Sequence, residues 1–401
     1  MAELLMRNRV TGQRRRSAGR STARIDWALV SVVAILLVLG LVMVTSASVT
    51  VADRNYGDPL YFFKRQVVFV LAGIALMAAM VRIPLQQWER SGRGLLLFGL
   101  FLLVLVLIPG IGRTVNGSTR WLPLGFFSLQ VSEFAKLFVL IYLSGFLVRR
   151  GERLRQDLAT FLRIMGVLGI FAILLLMEPD FGATVVLMGM GTGMLFLAGV
   201  RLGRFAGLMG LLVLAMGVLA VSSPYRMKRL TAFLDPWQDP FNSGFQLTQA
   251  LIAIGRGGWT GTGLGNSIQK LFYLPEAHND FLFAVFAEEF GLLGVLLVIG
   301  LYGWLLWRIF AIGAAAERLG QCFGAFLAWG AGIWLGLQAF INMGVNMGML
   351  PTKGLTLPLM SAGGSSMLVT CCLIGLVLRV DRERREAEAS AMAPRRRRVR
   401  T

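Results

Sequence analysis

The sequence predicts an all-α polytopic membrane protein of about ten transmembrane helices, with both termini cytoplasmic and a long extracytoplasmic loop between the seventh and eighth. Three observations predict it. Apolar runs long enough to cross a bilayer recur along all 401 residues. Only 15% of residues are charged, where a soluble domain carries about a quarter. The arginines, finally, concentrate on alternate connections between the runs. A transmembrane β-barrel would show short alternating segments instead.

Residues 1–26 form a basic tail, with Arg14, Arg15 and Arg16 among Ser, Gly and Thr. The first apolar run, Trp27 to Val44, is too long for a signal-peptide core and is followed by many others, so it reads as the first span. The spans centre on 28–49, 66–82, 94–110, 133–149, 162–178, 182–200, 203–221, 281–308, 323–345 and 355–379. With the N-terminus inside, the inner segments carry 28 Arg and Lys and the outer ones 11, which is the bias the positive-inside rule demands. Residues 27–379 then form the membrane domain and 380–401 a second basic cytoplasmic tail. The net charge of +19 is absorbed by this topology and by anionic lipid. No nucleic-acid-binding motif accompanies it.

The long loop, 222–280, opens with a basic patch of Arg226, Lys228 and Arg229. Asp235-Pro236-Trp237 and Asp239-Pro240-Phe241 read as turns. Residues 245–254 have helical spacing and are expected to lie along the membrane surface. Cys322, Cys371 and Cys372 all fall in apolar runs, which suggests neither disulfides nor a zinc site.

Every unusual polar cluster falls on the outer face, and the densest is the stretch 255–291. It holds the chain's single histidine, His278, with Glu276, Asp280, Glu288 and Glu289. Its glycines, from Gly255 to Gly265, either let backbone N–H groups approach an anion or simply supply positive φ angles; they do not form a P-loop. Asp280 sits where loop becomes helix. It reads either as an N-cap or as a carboxylate kept ionised by the helix dipole, which suits a base. His278 is an acid/base by type, with a hydrogen-bonding role as the plainer reading. Glu288 and Glu289 lie about two turns into the next span: either one faces the interior beside Asp280, since eight residues return to nearly the same helix side, or both are structural hydrogen-bond partners. Glu133 and Lys136, spaced i, i+3, favour an ion pair at the head of the fourth span. Arg120 precedes that span within reach of an anion, and Lys353 is a lone cation between two spans that either snorkels or serves the same face.

The stretches 117–137 (GSTRWLPLGFFSLQVSEFAKL), 178–182 (EPDFG), 264–291 (with LPEAHNDF) and 346–366 (with LPTKGLTLPLMSAGGSS) resemble the SEDS family, the shape, elongation, division and sporulation proteins. The resemblance covers nearly the whole chain after the leader. Lys353 within PTKG and the LPEAH form look like the cell-division branch more than the elongation branch. Val131, Ala362 and Asn279 depart from the family's usual residues but leave the acid and the cations in place.

The resemblance implies a peptidoglycan glycosyltransferase that polymerises lipid II into glycan strands outside the cytoplasmic membrane, at the division septum. Asp280 is the implied general base. Arg120, Lys136 and Lys353 become candidates for the diphosphate, and Glu133, His278 and Glu276 for further diphosphate or sugar contacts. The implied partners are a class B penicillin-binding protein (an FtsI-like transpeptidase) and divisome proteins of the FtsQ-FtsL-FtsB type. No cofactor is required by this chemistry; a divalent cation (Mg or Mn) could assist it, but no ligand cluster announces one. Two rival functions share the same span count, a lipid II flippase and a non-catalytic divisome scaffold.

Overall fold

A computed structural model describes residues 25–115, 117–123, 125, 128–221, 233–242, 244–271, 273–351 and 354–392. Most of the basic leader, the Arg226–Lys228–Arg229 patch, Lys353 and the last nine residues lie outside the described residues.

Each expected span has a helix at its centre. In chain order these are α1 (Trp27–Tyr56), α2 (Tyr61–Arg82), α3 (Leu85–Leu107), α4 (Val131–Gln156), α5 (Leu158–Met177), α6 (Phe181–Leu197) and α7 (Leu202–Val221). After the loop come α8 (Phe245–Gly257), α9 (Leu282–Arg318), α10 (Cys322–Asn346) and α11 (Gly364–Met392). Among the described residues, eight are long and apolar enough to cross a membrane, and α6 is a shorter apolar helix. The protein is therefore a multi-pass membrane protein.

Burial sorts the helices into a centre and a rim. α4, α9, α10 and α11 are mostly buried, whereas α2, α3 and α5 expose most of their residues. What the rim exposes is apolar: Leu71, Leu97, Phe101, Leu162 and Ile173 all face outward. In water such a surface would be a liability; in a bilayer it is the expected contact with lipid. α11 packs chiefly along α2, α9 along α10, and α3 along α4.

Several expectations need correction. The last span does not begin at 355. Residues 355–363 run as irregular chain, interrupted by Pro358, and the helix starts only at Gly364. That irregular segment is mostly buried in protein, the one setting in which non-helical backbone survives at the edge of a bilayer. At the other end α11 runs on to Met392 through the first part of the expected tail, laced by Arg379–Glu383, Arg382–Glu386 and Arg384–Glu388 pairs at i, i+4. The helix expected on the surface, α8, instead packs against α9 through Leu247, Ala250, Ala253 and Gly257.

Two features were not foreseen. The connection before α4 folds into a three-stranded antiparallel sheet: β1 (Arg113–Val115), β2 (Ser118–Pro123) and β3 (Ser128–Gln130). And α9 is broken at Gly291, whose φ of 64° and ψ of −165° lie outside the helical region. The break strips partners from the carbonyls of Glu288 and Glu289. The glycine loop supplies new ones: Thr262 N–H donates to Glu288 O at 2.9 Å and Gly263 N–H to Glu289 O at 3.0 Å. In return Leu292 and Leu293 N–H donate to Gly258 O and Trp259 O at 2.9 and 3.1 Å.

Candidate active site

The site is assembled from four places in the chain. β2 presents Arg120. The turn between α5 and α6 presents Glu178 and Asp180. The residues just before α9 present His278 and Asp280. The segment entering from α10 presents Gly354.

Asp280 is not the N-cap; Phe281 occupies that position. What grips residue 280 is its backbone. Its carbonyl oxygen accepts from Asn342 Nδ2 at 2.9 Å and from Asn346 Nδ2 at 3.0 Å, both on α10. Asn346 Oδ1 also accepts the Ala284 N–H at 3.1 Å, a donor it shares with the Phe281 carbonyl at the start of α9. The half-buried Asp280 carboxylate is thus aimed by a helix start clamped from outside. Gly354 lies beside it: a Cβ on Gly354 would stand 3.1 Å from Asp280 Oδ2 and 4.0 Å from Arg120 Nη2. The acid and the guanidinium therefore converge on one small glycine.

Arg120 reaches this point from the opposite side. Its Nη1 lies 3.5 Å from Asp180 Oδ1, and its buried Nε has no partner among the described residues. Asp180 is heavily committed elsewhere. It caps α6 by accepting the Ala183 N–H at 3.1 Å, and it accepts from Ser132 Oγ at 2.8 Å and Gln130 Nε2 at 3.3 Å. Arg120 is consequently a cation that its neighbour holds loosely, with its outer edge turned to Asp280.

Glu178 is fully buried, with neither carboxylate oxygen hydrogen-bonded among the described residues. Burial above all, with the charge of Asp180 adding to it and Arg120 opposing, pushes its carboxyl up to about 8. It is neutral at pH 7, so it does not compete for Arg120. A carboxyl raised from 4.5 to about 8 in the folded state binds more protons there than in the unfolded chain. Stability is then full at low pH and is lost as pH rises from the unfolded value towards about 8, by at most on the order of 5 kcal/mol. Glu178→Gln, the neutral isostere, is expected to flatten this fall, read as thermal melting in detergent between pH 5 and 9.

Glu133 and Lys136 lie beneath, inside the bundle. Lys136 is wholly inaccessible; its Nζ donates to Glu133 Oε1 at 2.8 Å and to Gln338 Oε1 at 3.4 Å, and it sits 4.8 Å from the centre of the Trp334 ring. Gln338 Nε2 in turn donates to Thr356 O at 3.1 Å, and Asn342 Nδ2 to Leu355 O at 2.6 Å. The buried pair thereby supports the segment that carries Gly354. Lys136→Ala would leave Glu133 charged and alone, at a cost of roughly 3–5 kcal/mol. Adding Glu133→Gln is expected to recover most of that loss, measured by denaturation in detergent.

His278 and Glu276 sit at the rim. The His278 ring packs 4.3 Å from Phe62, and its carbonyl oxygen accepts the Ala362 N–H at 3.0 Å. Burial holds its imidazole below the usual range, partly offset by Glu276, so it is neutral at pH 7. Glu276 is exposed, in a left-handed conformation with φ 54°, and accepts from Asn279 Nδ2 at 2.5 Å. Lys353 lies outside the described residues.

Glu288 and Glu289 do not join the site. Glu288 accepts from Ser267 Oγ at 2.5 Å, Ile268 N at 3.0 Å and Arg256 Nη1 at 3.0 Å, and Glu289 from Ser46 Oγ at 2.7 Å and Lys270 Nζ at 2.8 Å. Both are structural partners of the loop, the second of the two readings the sequence offered, and neither is placed beside Asp280. The anion-binding option for the glycines is set aside, because the Thr262 and Gly263 amides donate to the carbonyls of α9. Missed altogether were Gln338, Asn342 and Asn346. Their signal was present: three amides four residues apart mark one face of an otherwise apolar helix.

A cation and a clamped carboxylate at the head of a bundle of membrane helices place this chain in a class, polytopic membrane proteins with a polar site at one end of the bundle. Residues 26–386 match the FtsW, RodA and SpoVE family of cell cycle proteins, and the chain belongs to that family, in its FtsW branch. A probable peptidoglycan glycosyltransferase FtsW from Thioalkalivibrio sulfidiphilus is 64% identical over 364 residues, 91% of each chain. The Legionella pneumophila protein of the same name is 53% identical over 380 residues, 95% of this chain and 96% of its own. Among solved structures, the rod shape determining protein RodA of Thermus thermophilus is 30% identical, with a TM-score of 0.67 over 90% of this chain and 97% of its own. A chain from a peptidoglycan synthase complex that coordinates polymerization and crosslinking is 31% identical, with a TM-score of 0.74 over 90% of this chain and 98% of its own.

Proposed function

We propose that this chain is a peptidoglycan glycosyltransferase that polymerises lipid II at the outer face of the cytoplasmic membrane during septal wall synthesis. The observation that carries the chemistry is the convergence of Asp280 Oδ2 and Arg120 Nη2 on Gly354. A sugar carried on a lipid diphosphate already has a good leaving group. Its transfer needs one base for the attacking hydroxyl and cations for the departing diphosphate. Asp280 takes the proton of the acceptor sugar's 4-hydroxyl as that oxygen attacks the anomeric carbon of the donor. The bond from that carbon to the diphosphate breaks, and Arg120, with Lys353 beside Gly354 in sequence, meets the released charge. An α-linked donor giving a β-linked product requires one inversion.

Lys136 and Glu133 act from below by holding the Gly354 segment, while His278 and Glu276 line the rim where sugar hydroxyls would lie. Among the described residues no group of three or more acids, histidines or cysteines is placed to hold a divalent cation such as Mg or Mn. The partners we assign are a class B penicillin-binding protein and divisome proteins of the FtsQ-FtsL-FtsB type. The relative within a synthase complex supports the first of these.

The test is polymerisation of purified lipid II in detergent by this protein with its cognate transpeptidase. Glycan polymer is the expected product. Because detergent offers no bilayer to cross and a scaffold makes no bonds, absence of polymer would return the flippase and scaffold readings.

A further inference from the structure

A second polar feature lies at the other end of the bundle, roughly 20 Å along α4 from Lys136. The early turns of α3 and α5 and the late turns of α4 form an open pocket of about 260 Å³. Arg93, Arg149, Arg150 and Arg163 line it, with Tyr142 and Phe146 on its inner wall. Among the described residues none of these four guanidiniums makes an ion pair with a carboxylate. Asp157, whose charge interacts with Arg163, spends both oxygens capping α5 through Ala159 N, Thr160 N and Thr160 Oγ1.

Nearby arginines are held in different ways. Arg308 pairs with Asp26, Arg379 with Glu383, Arg384 with Asp381, and Arg385 with Asp381. Arg155 and Arg204 instead donate to backbone carbonyls. What sets Arg93, Arg149, Arg150 and Arg163 apart is that the four line one pocket together. Four like charges around one cavity repel unless an anion shares it.

The cavity's dimensions and setting narrow the anion. It is several times the volume of one water, and its walls include aromatic rings. Beside it, Leu162 on α5 and Val148 on α4 are exposed apolar residues of the lipid-facing rim. Basic pockets between helices on the cytoplasmic side suit phospholipid headgroups, and the arginine bias of the sequence puts this end inside. We propose that this pocket binds the phosphate headgroup of an anionic phospholipid from the inner leaflet, with its acyl chains lying against the α4–α5 rim. This site is independent of the polymerase reading.

The experiment is native mass spectrometry of the full chain after exchange into detergent with equimolar phosphatidylethanolamine and cardiolipin. Wild type is compared with Arg149→Gln/Arg150→Gln and with Arg318→Gln/Arg382→Gln, which removes equal charge elsewhere. Wild type is expected to retain one cardiolipin in preference to phosphatidylethanolamine. The pocket variant should lose that retention roughly tenfold or more, and the control should keep it. Equal loss in both variants would reduce the effect to general surface charge and overturn the site. So would unchanged retention in the pocket variant, provided its melting temperature matches wild type. Displacement of cardiolipin by millimolar inorganic phosphate would replace the lipid assignment with a free-phosphate site.

Discussion

Asp280→Asn is expected to lose glycan polymerisation by roughly 10²–10⁴-fold while the protein folds, inserts and binds its transpeptidase as before. The fold is spared because Asn342 and Asn346 hold the carbonyl of residue 280, not its side chain. The Ala284 N–H at the helix start is likewise satisfied by Asn346. Removing the carboxylate's charge thus keeps these backbone bonds at the start of α9 and takes away the base. The assay is gel separation of polymer made from lipid II, with the melting temperature as the folding control. Undiminished polymer would move the base to Glu276, which is exposed, ahead of Glu133, which is buried against Lys136.

Gly261→Ala is expected to have the largest effect on folding. A Cβ there would overlap the carbonyl oxygen of Glu289 and stand 2.6 Å from the Phe290 nitrogen, both backbone atoms that cannot rotate away. The residue also has φ +81°, a conformation alanine resists. Overlap and strain together place the loss above about 4 kcal/mol, enough to prevent accumulation of a folded membrane protein. Gly265→Ala serves as the comparison: it shares a positive φ, but nothing lies within 4 Å of the added methyl. Membrane yield and detergent melting separate the two.

What could be read from the sequence follows the strength of each physical signal. Span centres were legible because a run of about twenty apolar residues fits few structures besides a helix crossing a bilayer. Asp280 and Arg120 were legible as polar residues next to apolar helices, and the i, i+3 spacing announced the Glu133–Lys136 pair. The small sheet was not, since β1 and β3 have three residues each and β2 is mostly half-buried, leaving no alternation to detect. The late start of α11 was hidden because the apolar residues of 355–363 read as helix while packing as loop. Glu178 escaped because its importance lies in the hydrogen bonds it lacks, which no pattern of residue types displays. The glycine loop could be read as an anion cradle or as backbone that needs positive φ angles, and its bonds across the break at Gly291 favour the second.

That break has a mechanical consequence. A glycine with non-helical angles in the middle of a long helix suggests an elbow free to swing. Here the loop lies across the elbow as a splint, bonded to residues on both sides of it, while Glu288 and Glu289 stitch its far end at Ser267, Ile268 and Lys270. The bend is therefore set rather than articulated. Any signal a partner sends along α9 would reach Asp280 as the tilt of a stiff bent rod, loop and all, and not as a change in the angle at Gly291.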